Sequence, residues 1–151
     1  MTDHAWHVDP SVRRNMQANR RRDTRPELAL RSLLHARGLR FRVDQPLSFD
    51  RRRRADLTFP RVALYVFVDG CFWHGCETHF VLPKTRTEYW SSKVQGNKSR
   101  DLDTTLRLES LGGTVLRFWE HEDPRRASDL VQNVYMNFRE SAHRGPDSDV
   151  E

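Results

Sequence analysis

The chain has little cysteine and no long apolar segment. Only two of its 151 residues are cysteine, which excludes a scaffold held together by several disulfides. No apolar run approaches the roughly 20 residues that are needed to cross a bilayer, so we expect no membrane partner. Residues 1–9 are polar and do not resemble an export signal. We therefore expect a cytoplasmic protein whose thiols are reduced.

The sequence also lacks internal repeats and any linker between domains. Its length is that of a single domain, and such a domain buries roughly two thirds of the surface of the unfolded chain. We expect a basic N-terminal arm at residues 1–22, one folded domain at 23–140 and a disordered tail at 141–151.

Positive charge is in excess and is unevenly distributed. There are 26 lysines and arginines against 21 acidic residues, giving a net charge of +5 and a pI near 9.8. This balance favours an anionic partner, with nucleic acid as the first candidate, although a generically basic solvated surface is the alternative. Two arginine clusters are candidates for phosphate contact, and the second is favoured because it lies directly beside Asp56, a candidate catalytic acid; a solvated loop is the alternative. They are Arg13, Arg14, Arg20, Arg21 and Arg22 in the arm, and Arg51, Arg52, Arg53 and Arg54 in a second run.

The first half of the folded region predicts a helix followed by strands. Thr24 caps the helix, Glu27 is its capping-box partner, and Gly38 ends it. The last of the three strands that follow is an almost continuous apolar run, which is typical of a central strand. These strands are predicted at 39–43, 55–59 and 62–68.

The second half completes an α/β pattern. A capping box formed by Thr85 and Glu88 predicts a helix that is interrupted at Gly96 and resumes over 97–111. A further strand is predicted at 114–119. An amphipathic helix around residues 130–138 follows it.

Three carboxylates are predicted to converge. Asp56 and Asp69 lie on neighbouring strands, and Glu27 lies on or beside the apolar face of the first helix. Carboxylate oxygens beside a basic run are the ligands that Mg²⁺ needs to act on a phosphodiester. Since a strand-end aspartate is as often a turn or cap residue, and Glu27 also fits a capping role, the acids alone do not decide the function.

A second candidate metal site combines both cysteines with two histidines. Two thiolates and two imidazoles suit tetrahedral Zn²⁺, and four protein ligands leave no position for a substrate, so such a site is structural. The alternatives are free buried thiols with surface histidines, or a redox pair, which the spacing of the cysteines disfavours. His74 is surplus to this set and is available for acid/base work or phosphate contact. The four candidate zinc ligands are Cys71, Cys76, His79 and His121.

These residues resemble a known family, the very short patch repair endonucleases, which nick DNA at T:G mismatches and share the fold of type II restriction endonucleases. The similarity covers residues 16–139. Its most specific segments are Arg22-Asp23-Thr24 followed by Glu27, Gly70-Cys71-Phe72-Trp73-His74, Thr85-Arg86-Thr87-Glu88-Tyr89-Trp90, and Asn97 with Arg100-Asp101.

The resemblance implies a fold and a set of partners. The fold is a central mixed sheet of the PD-(D/E)XK restriction-endonuclease type, flanked by helices and carrying a structural zinc site. The activity implied is that of a bacterial, nucleoid-associated enzyme on double-stranded DNA, with two catalytic Mg²⁺ ions and one structural Zn²⁺. We expect the protein to be a monomer.

The resemblance also implies roles for individual residues. Asp56 matches the catalytic aspartate that binds the metal, and the backbone carbonyl of Val68 matches a second Mg²⁺ ligand. His74 matches a catalytic histidine near the scissile phosphate, and Asp101 an acid that orients it. Glu27 matches a helix carboxylate near the metal waters, and the four candidate zinc ligands match the structural zinc site.

Three aromatic residues match side chains that wedge into the DNA stack beside the mismatch: Phe72, Trp73 and Trp90. Unstacking costs less at a weak pair, which is consistent with such a role. Core packing is the alternative for all three. Since Phe72 and Trp73 stand in a loop between a metal ligand and His74, the wedge is favoured for these two more than for Trp90.

Asp69 departs from the family pattern. Some members carry a histidine at this position, and no lysine follows Asp69 at the spacing usual in restriction-type nucleases. Asp69 is therefore predicted either to bind Mg²⁺ directly or to serve as a base in place of that histidine.

Three functions are compatible with the sequence. The first is a Mg²⁺-dependent endonuclease that nicks one strand of duplex DNA at T:G mismatches. The second is a nuclease of the same fold that acts on unmismatched DNA in a restriction or defence setting. The third is a zinc-stabilised DNA-binding module without catalysis, which the concentration of acids facing phosphate disfavours.

Overall fold

The computed structural model describes residues 23–144, and within them a mixed sheet is flanked by helices. The predicted N-terminal arm, with Arg20, Arg21 and Arg22, lies outside the described residues. In chain order the elements are α1 (Arg25–Ala36), β1 (Arg42–Pro46), β2 (Arg54–Phe59), a short 3₁₀ turn (Pro60–Val62), β3 (Leu64–Asp69), α2 (Thr87–Ser110), β4 (Thr114–Trp119) and α3 (Pro124–His143).

The sheet has four strands in the order β1-β2-β3-β4. β1 pairs with β2 and β2 with β3 in antiparallel fashion, whereas β3 and β4 are parallel. The helix α2 makes the connection between the two parallel strands, which need a long crossover. The predicted mixed α/β sheet is confirmed. The carboxyl ends of β3 and β4 meet at one edge, where Asp69 pairs with Trp119.

Each face of the sheet packs against helices. The larger core cluster joins α1 and α3 to the sheet through buried residues that include Leu34, Leu57, Val66 and Val131. The smaller cluster lies on the opposite side, where Leu108 of α2 packs with residues of the sheet and of the loop after β1: Leu47, Ala55 and Phe67. Because side chains alternate along a strand, Asp69 follows Tyr65 and Phe67 on the α2 side of β3.

The predicted N-terminal cap of α1 is confirmed, and the turn that closes the C-terminal end of this helix explains why β1 starts later than predicted. The Thr24 side chain accepts a hydrogen bond from the Glu27 amide at 3.5 Å. At the other end, Gly38 has a φ of +75° and the Leu39 amide donates to the Leu34 carbonyl at 3.1 Å. This closing turn uses the Leu39 amide, so β1 starts at Arg42 and the predicted start at residue 39 is wrong.

Two predictions for α2 are wrong. The capping box of Thr85 with Glu88 does not form, because the helix begins at Thr87 after a left-handed Arg86, with no side-chain cap. The Thr87 hydroxyl instead donates to the carbonyls of Pro83 and Lys84, at 3.2 and 3.3 Å. The predicted interruption at glycine is also absent, and the helix runs unbroken for 24 residues. One exposed glycine costs only about 1 kcal/mol of helix stability.

Two element boundaries also differ from prediction. β3 begins at Leu64 because residues 60–62 form the 3₁₀ turn and Ala63 adopts a φ of +48°. α3 continues to His143, so the first three residues of the predicted tail are helical, and the part of that tail from residue 145 onward lies outside the described residues. The Ser141 hydroxyl donates to the Asn137 carbonyl at 2.9 Å within this last helical segment.

In the described part of the chain, no helix has the length and apolar character that membrane crossing requires.

A matched pair of glycines tests this packing. A Cβ on Gly113 would lie 2.9 Å from the Leu108 carbonyl oxygen and from the Tyr65 ring. The carbonyl belongs to the backbone and does not move away easily, so we expect Gly113→Ala to lower the free energy of unfolding by about 1–3 kcal/mol. At Gly96 a Cβ would meet nothing within 4 Å.

Gly96→Ala is the control, since it should raise the free energy of unfolding by about 0.5–1 kcal/mol. Urea denaturation of both variants gives the comparison. Equal stabilities for the two variants would contradict the close approach of α2 to the sheet at Gly113.

Candidate active site

A cleft of about 460 Å³ opens at the end of the sheet where β3 stops. It is bordered by α1, the loop before β2, the ends of β2 and β3, and the inner face of α2. All five predicted catalytic residues line it: Glu27, Asp56, Asp69, His74 and Asp101. Val68, which was predicted to offer its carbonyl to Mg²⁺, lines the same cleft.

Asp56 is held by the backbone of the neighbouring strand. The ladder between β2 and β3 ends at the pair Leu57 and Val66, and beyond it the Val68 amide donates to Asp56 Oδ2 at 2.7 Å. Burial raises the pKa of Asp56 to about 7; the Val68 hydrogen bond opposes this rise and the negative charges of Glu27 and Asp69 add to it. A proton or a cation is therefore favoured at this carboxylate.

Glu27 lies at the cleft from the first turn of α1, and it is only 4% exposed. Its Oε2 accepts hydrogen bonds from the Asp23 amide at 3.0 Å and from Arg31 at 2.9 Å. Burial raises the pKa of Glu27, and the bonds to Asp23 and Arg31 oppose that rise. The capping role and the cleft role proposed for this residue are thus both compatible with its position.

Asp69, at the end of β3, is paired with an arginine of β4. Arg117 NH1 donates to Asp69 Oδ1 at 2.9 Å and to Oδ2 at 3.1 Å. Burial raises the pKa of Asp69, and the charge of Arg117 opposes this rise. Metal coordination by Asp69 would compete with this ion pair for the charge of the carboxylate.

His74 lies between two carboxylates. Its Nδ1 is 2.5 Å from Asp101 Oδ2 and 3.8 Å from Asp69 Oδ1. Burial alone would lower the pKa of His74, but the hydrogen bond to Asp101 and the charges of both acids outweigh burial and raise it. The protonated ring is favoured, and Nε2 is the ring nitrogen left for a substrate.

The carboxylates of the cleft fit a divalent cation best at Asp56. Glu27, Asp69 and Asp101 each contact a cationic side chain, namely Arg31, Arg117 and His74. The hydrogen bond that holds Asp56 comes from a neutral amide. Asp69, His74 and Asp101 also have ligand atoms within 4.8 Å of one another, but the charges of protonated His74 and of Arg117 already offset the two carboxylates.

The four predicted zinc ligands come together at the edge of the sheet. Cys71 Sγ lies 3.1 Å from His121 Nδ1, and Cys76 Sγ lies 3.7 Å from His79 Nδ1 and 3.8 Å from His121 Nδ1. All four ligand atoms are within 4.8 Å of one another. Ligands around tetrahedral Zn²⁺ are separated by roughly 3–4 Å, so this donor set and its spacing fit the ion.

The loop between these ligands carries the aromatic residues. Phe72 and Trp73 pack edge to face with ring centroids 5.2 Å apart, and Trp90 of α2 packs against both at 5.5 and 6.0 Å. Trp90 is only 8% exposed, whereas Phe72 and Trp73 are half-buried. Asn97 of α2 donates to the Trp73 carbonyl at 2.8 Å, which fastens the loop to the helix.

The run of four arginines divides into two kinds. Arg51 and Arg52 are exposed. Arg53 NH1 lies 2.5 Å from Asp103 Oδ2, and Arg54 Nε lies 2.9 Å from Asp44 Oδ1. The phosphate contacts predicted for this run are therefore available most directly to the first two side chains.

Sequence reasoning assigned no role to Arg117. It occupies β4, where it pairs with Phe67 in the register of the parallel strands. The signal for it was a single charged residue in the otherwise uncharged and mostly apolar segment Thr-Val-Leu-Arg-Phe-Trp. Asn97 was noted only as part of a motif, and its bond to the loop depends on tertiary contact.

Comparison with known proteins connects this geometry to a family. The model of the DNA mismatch endonuclease Vsr family matches residues 6–79. The chain is 46% identical over 112 residues to the type II nicking enzyme V.NaeI of Lentzea aerocolonigenes, covering 73% of this chain and 68% of that protein. It is 42% identical over 108 residues to the DNA mismatch endonuclease Vsr of Escherichia coli K12, covering 71% and 67%.

The chain belongs to the Vsr family. It is a DNA endonuclease, and its substrate is DNA. A further relative, the type II nicking enzyme V.XorIIP of Xanthomonas oryzae pv. oryzae, is 42% identical over 124 residues, covering 81% of this chain and 87% of that protein. The family resemblance drawn from the sequence is thereby confirmed, and the binding module without catalysis is excluded.

The raised pKa of Asp56 has a consequence for the stability of this Vsr-family enzyme. Because the folded state holds a proton on Asp56 more tightly than the unfolded chain, this residue disfavours folding increasingly as pH rises from about 4 to about 7. Asp56→Asn removes the charge and retains an oxygen for the Val68 amide. Without added Mg²⁺, we expect the variant to melt several degrees above the parent at about pH 8 and close to it at about pH 4.

Thermal melts across this pH range check the expectation. No chelator is added, so that any metal held by the four candidate zinc ligands is not stripped from the protein during the melts. Asp129→Asn is the control, since Asp129 is exposed, does not line the cleft, and pairs with Arg37 where the C-terminal end of α1 meets α3. A difference between Asp56→Asn and parent that is the same at every pH would contradict the assigned shift.

Proposed function

We propose that this Vsr-family protein is a Mg²⁺-dependent endonuclease that nicks one strand of duplex DNA at T:G mismatches. The observation that carries the proposal is the composition of one loop. Phe72 and Trp73, the residues suited to enter a base stack, directly precede His74, which pairs with Asp101 in the cleft. Insertion beside a mismatch would therefore bring the adjacent backbone to the catalytic residues.

Asp56 and the backbone carbonyl of Val68 would hold Mg²⁺ in this scheme. When bound, the ion would neutralise charge that develops on the phosphate and orient an attacking water. The carboxylate of Asp56 is kept in place by the Val68 amide at 2.7 Å. Glu27, buried and fixed by Arg31, would orient water molecules on the α1 side of the cleft.

His74 would act on the leaving group. Its Nδ1 is held by Asp101, which fixes the ring and favours its protonated form. Nε2 would then donate a proton to the leaving oxygen of the scissile phosphodiester. A general acid of this kind typically contributes about a hundred- to ten-thousand-fold in rate.

Recognition would depend on a difference in unstacking energy. Opening a base step for an inserted ring costs a few kcal/mol, and that cost is lower beside a T:G wobble than beside a Watson–Crick pair. Trp90 would support the two inserting rings through its contacts with both of them, and Asn97 through its hydrogen bond to the Trp73 carbonyl. Arg51 and Arg52 are exposed next to the cleft and would contact phosphates without reading the sequence.

A second function has support from the relatives. Several of them carry the name type II nicking enzyme, among them the two from Lentzea aerocolonigenes and Xanthomonas oryzae. Nicking of unmismatched DNA in a restriction setting is therefore the alternative. The cleft chemistry is the same for both functions, and the two differ in whether the aromatic pair needs a weak base pair.

A nicking assay on matched and T:G duplexes tests the proposal. The parent should nick the T:G duplex in one strand, only with Mg²⁺, and the matched duplex much more slowly. Phe72→Ala with Trp73→Ala should lose this preference, because no ring remains to exploit the weak pair. Binding to both duplexes in Ca²⁺ separates recognition from cleavage.

Arg51→Gln with Arg52→Gln is the matched control for this assay. Loss of two phosphate contacts should weaken binding to both duplexes equally and reduce the salt dependence. If the double aromatic variant keeps the full mismatch preference, the proposed insertion of Phe72 and Trp73 into the base stack is wrong. Equal nicking of matched and T:G duplexes by the parent would favour the restriction-type function.

We further propose that the four-ligand site holds one structural Zn²⁺. Burial raises the pKa of the Cys71 thiol to about 12, so this sulfur becomes a thiolate only when a cation is bound. The ligands come from the ends of both parallel strands and from the loop that carries His74. Zinc would therefore fix the loop in place instead of taking part in hydrolysis.

Elemental analysis of the purified protein should show one zinc per chain. Removing it should unfold the 70–83 loop and expose Trp73 and Trp90, which changes their fluorescence, before it affects α1 and α3. His121→Ala should lower zinc occupancy, whereas His35→Ala, at a histidine of α1 outside the site, should not. Full zinc occupancy in His121→Ala would show that the fourth ligand is misassigned.

A further inference from the structure

The pairing of Asp69 with Arg117 has no role in the scheme above. Arg117 is a charged residue on a strand whose neighbours are mostly apolar, and its side chain is only 22% exposed. Placing a guanidinium there is costly unless its donors are satisfied. The contacts of Arg117 show how they are satisfied.

Arg117 joins three elements around His74. Its NH1 donates to both oxygens of Asp69, and its NH2 donates to the backbone carbonyl of Asp101 at 3.3 Å. Its Nε donates to the Thr105 hydroxyl at 3.1 Å. The guanidinium also lies over the Phe67 ring, 4.2 Å from the centroid. One side chain thus holds the end of β3 and the middle of α2.

These two attachment points are the acids on either side of the histidine. Asp101 bonds His74 Nδ1 directly, and Asp69 lies 3.8 Å from the same nitrogen. A planar guanidinium with several donors fixes distance and angle between its partners, which an ammonium group does not. The position of the imidazole therefore depends on Arg117, although the two side chains are not hydrogen-bonded to each other.

We infer that Arg117 is a positioning residue for cleavage, and that Asp69 acts with it to place His74 instead of binding Mg²⁺ or acting as a base. This inference rests on the proposed role of His74. It explains why an aspartate at the end of β3 is accompanied by an arginine at the facing end of β4. It also leaves Asp56 and Val68 as the metal-binding residues.

Arg117→Met is the main test, because methionine keeps the apolar stem over Phe67 and removes the guanidinium. A misplaced catalytic group costs about a hundredfold in rate, so single-turnover nicking should fall by about that factor. Binding to DNA in Ca²⁺ and the Mg²⁺ concentration for half-maximal rate should stay unchanged. Arg117→Lys should recover little of the rate, since an ammonium cannot span both acids.

Two further measurements separate positioning from a merely structural role. Millimolar guanidinium ion should restore part of the rate of Arg117→Ala, whereas ammonium at equal ionic strength should not.

Asp69→Asn, Arg117→Met and the double variant should lose similar amounts of rate, because the two residues act as one unit. Additive losses would overturn the inference, and so would a higher Mg²⁺ requirement in Asp69→Asn alone.

Arg37→Met is the matched control. Arg37 has a similar exposure of 25% and is bonded to Asp129 at 2.7 Å and to Gln132 at 3.0 Å, between α1 and α3. Its substitution should change stability without changing the nicking rate. All variants are assayed on whichever duplex the parent cuts. If the parent cuts only matched DNA, the proposed specificity for T:G mismatches is wrong, but the same variants still test the role of Arg117.

Discussion

The parallel pairing of β3 with β4 is the constraint on which the site depends. Asp69 and Trp119 lie side by side at the ends of these strands. Two residues after each strand stands a candidate zinc ligand, and the two atoms concerned, Cys71 Sγ and His121 Nδ1, are 3.1 Å apart. The Glu120 side chain also accepts a hydrogen bond from the Cys71 amide at 3.0 Å. A shift of register between the two strands would separate these ligands and the acids beside them.

Charge organises the cleft within that frame. Several carboxylates in a partly buried space would repel one another, and each would be costly if left without a partner. Arg31 and Arg117 offset this cost at Glu27 and Asp69. Asp56 is held by a neutral amide and has a pKa raised to about 7, so a metal ion at this carboxylate would supply the positive charge that no arginine provides. The distribution of arginines thus makes Asp56 the acid best suited to bind a metal.

Local sequence patterns were sufficient to predict much of this molecule. The Thr24 cap, the apolar run of β3 and the ligand types after it are properties of neighbouring residues, so no tertiary information was needed. The start of β1 was wrong because the closing turn of α1 consumes the Leu39 amide. The start of α2 was wrong because Thr87 bonds the preceding loop, which outweighed the capping pattern.

What sequence reasoning missed depends on strand register and on contacts between distant segments. Arg117 reaches Asp69 only because β4 pairs with β3 in one particular alignment, and no spacing along the chain reveals that alignment. The different surroundings of the four arginines at 51–54 were missed for the same reason, since Arg53 forms an ion pair with Asp103, which lies far along the chain on α2. A charged residue in a mostly apolar strand is a useful signal of such a contact, but it does not identify the partner.

In the proposed mechanism, the short loop between Cys71 and Cys76 would connect recognition of the DNA to its cleavage. A ring that enters DNA must resist being pushed back, and a flexible loop would yield before the base step opens. Here the loop is bounded by two zinc-ligand candidates and fastened to α2 through Asn97 and Trp73. Since His74 follows directly, a force on an inserted ring would be transmitted to the imidazole. Arg117 holds the two acids beside that imidazole, and would therefore oppose its displacement while the DNA is distorted.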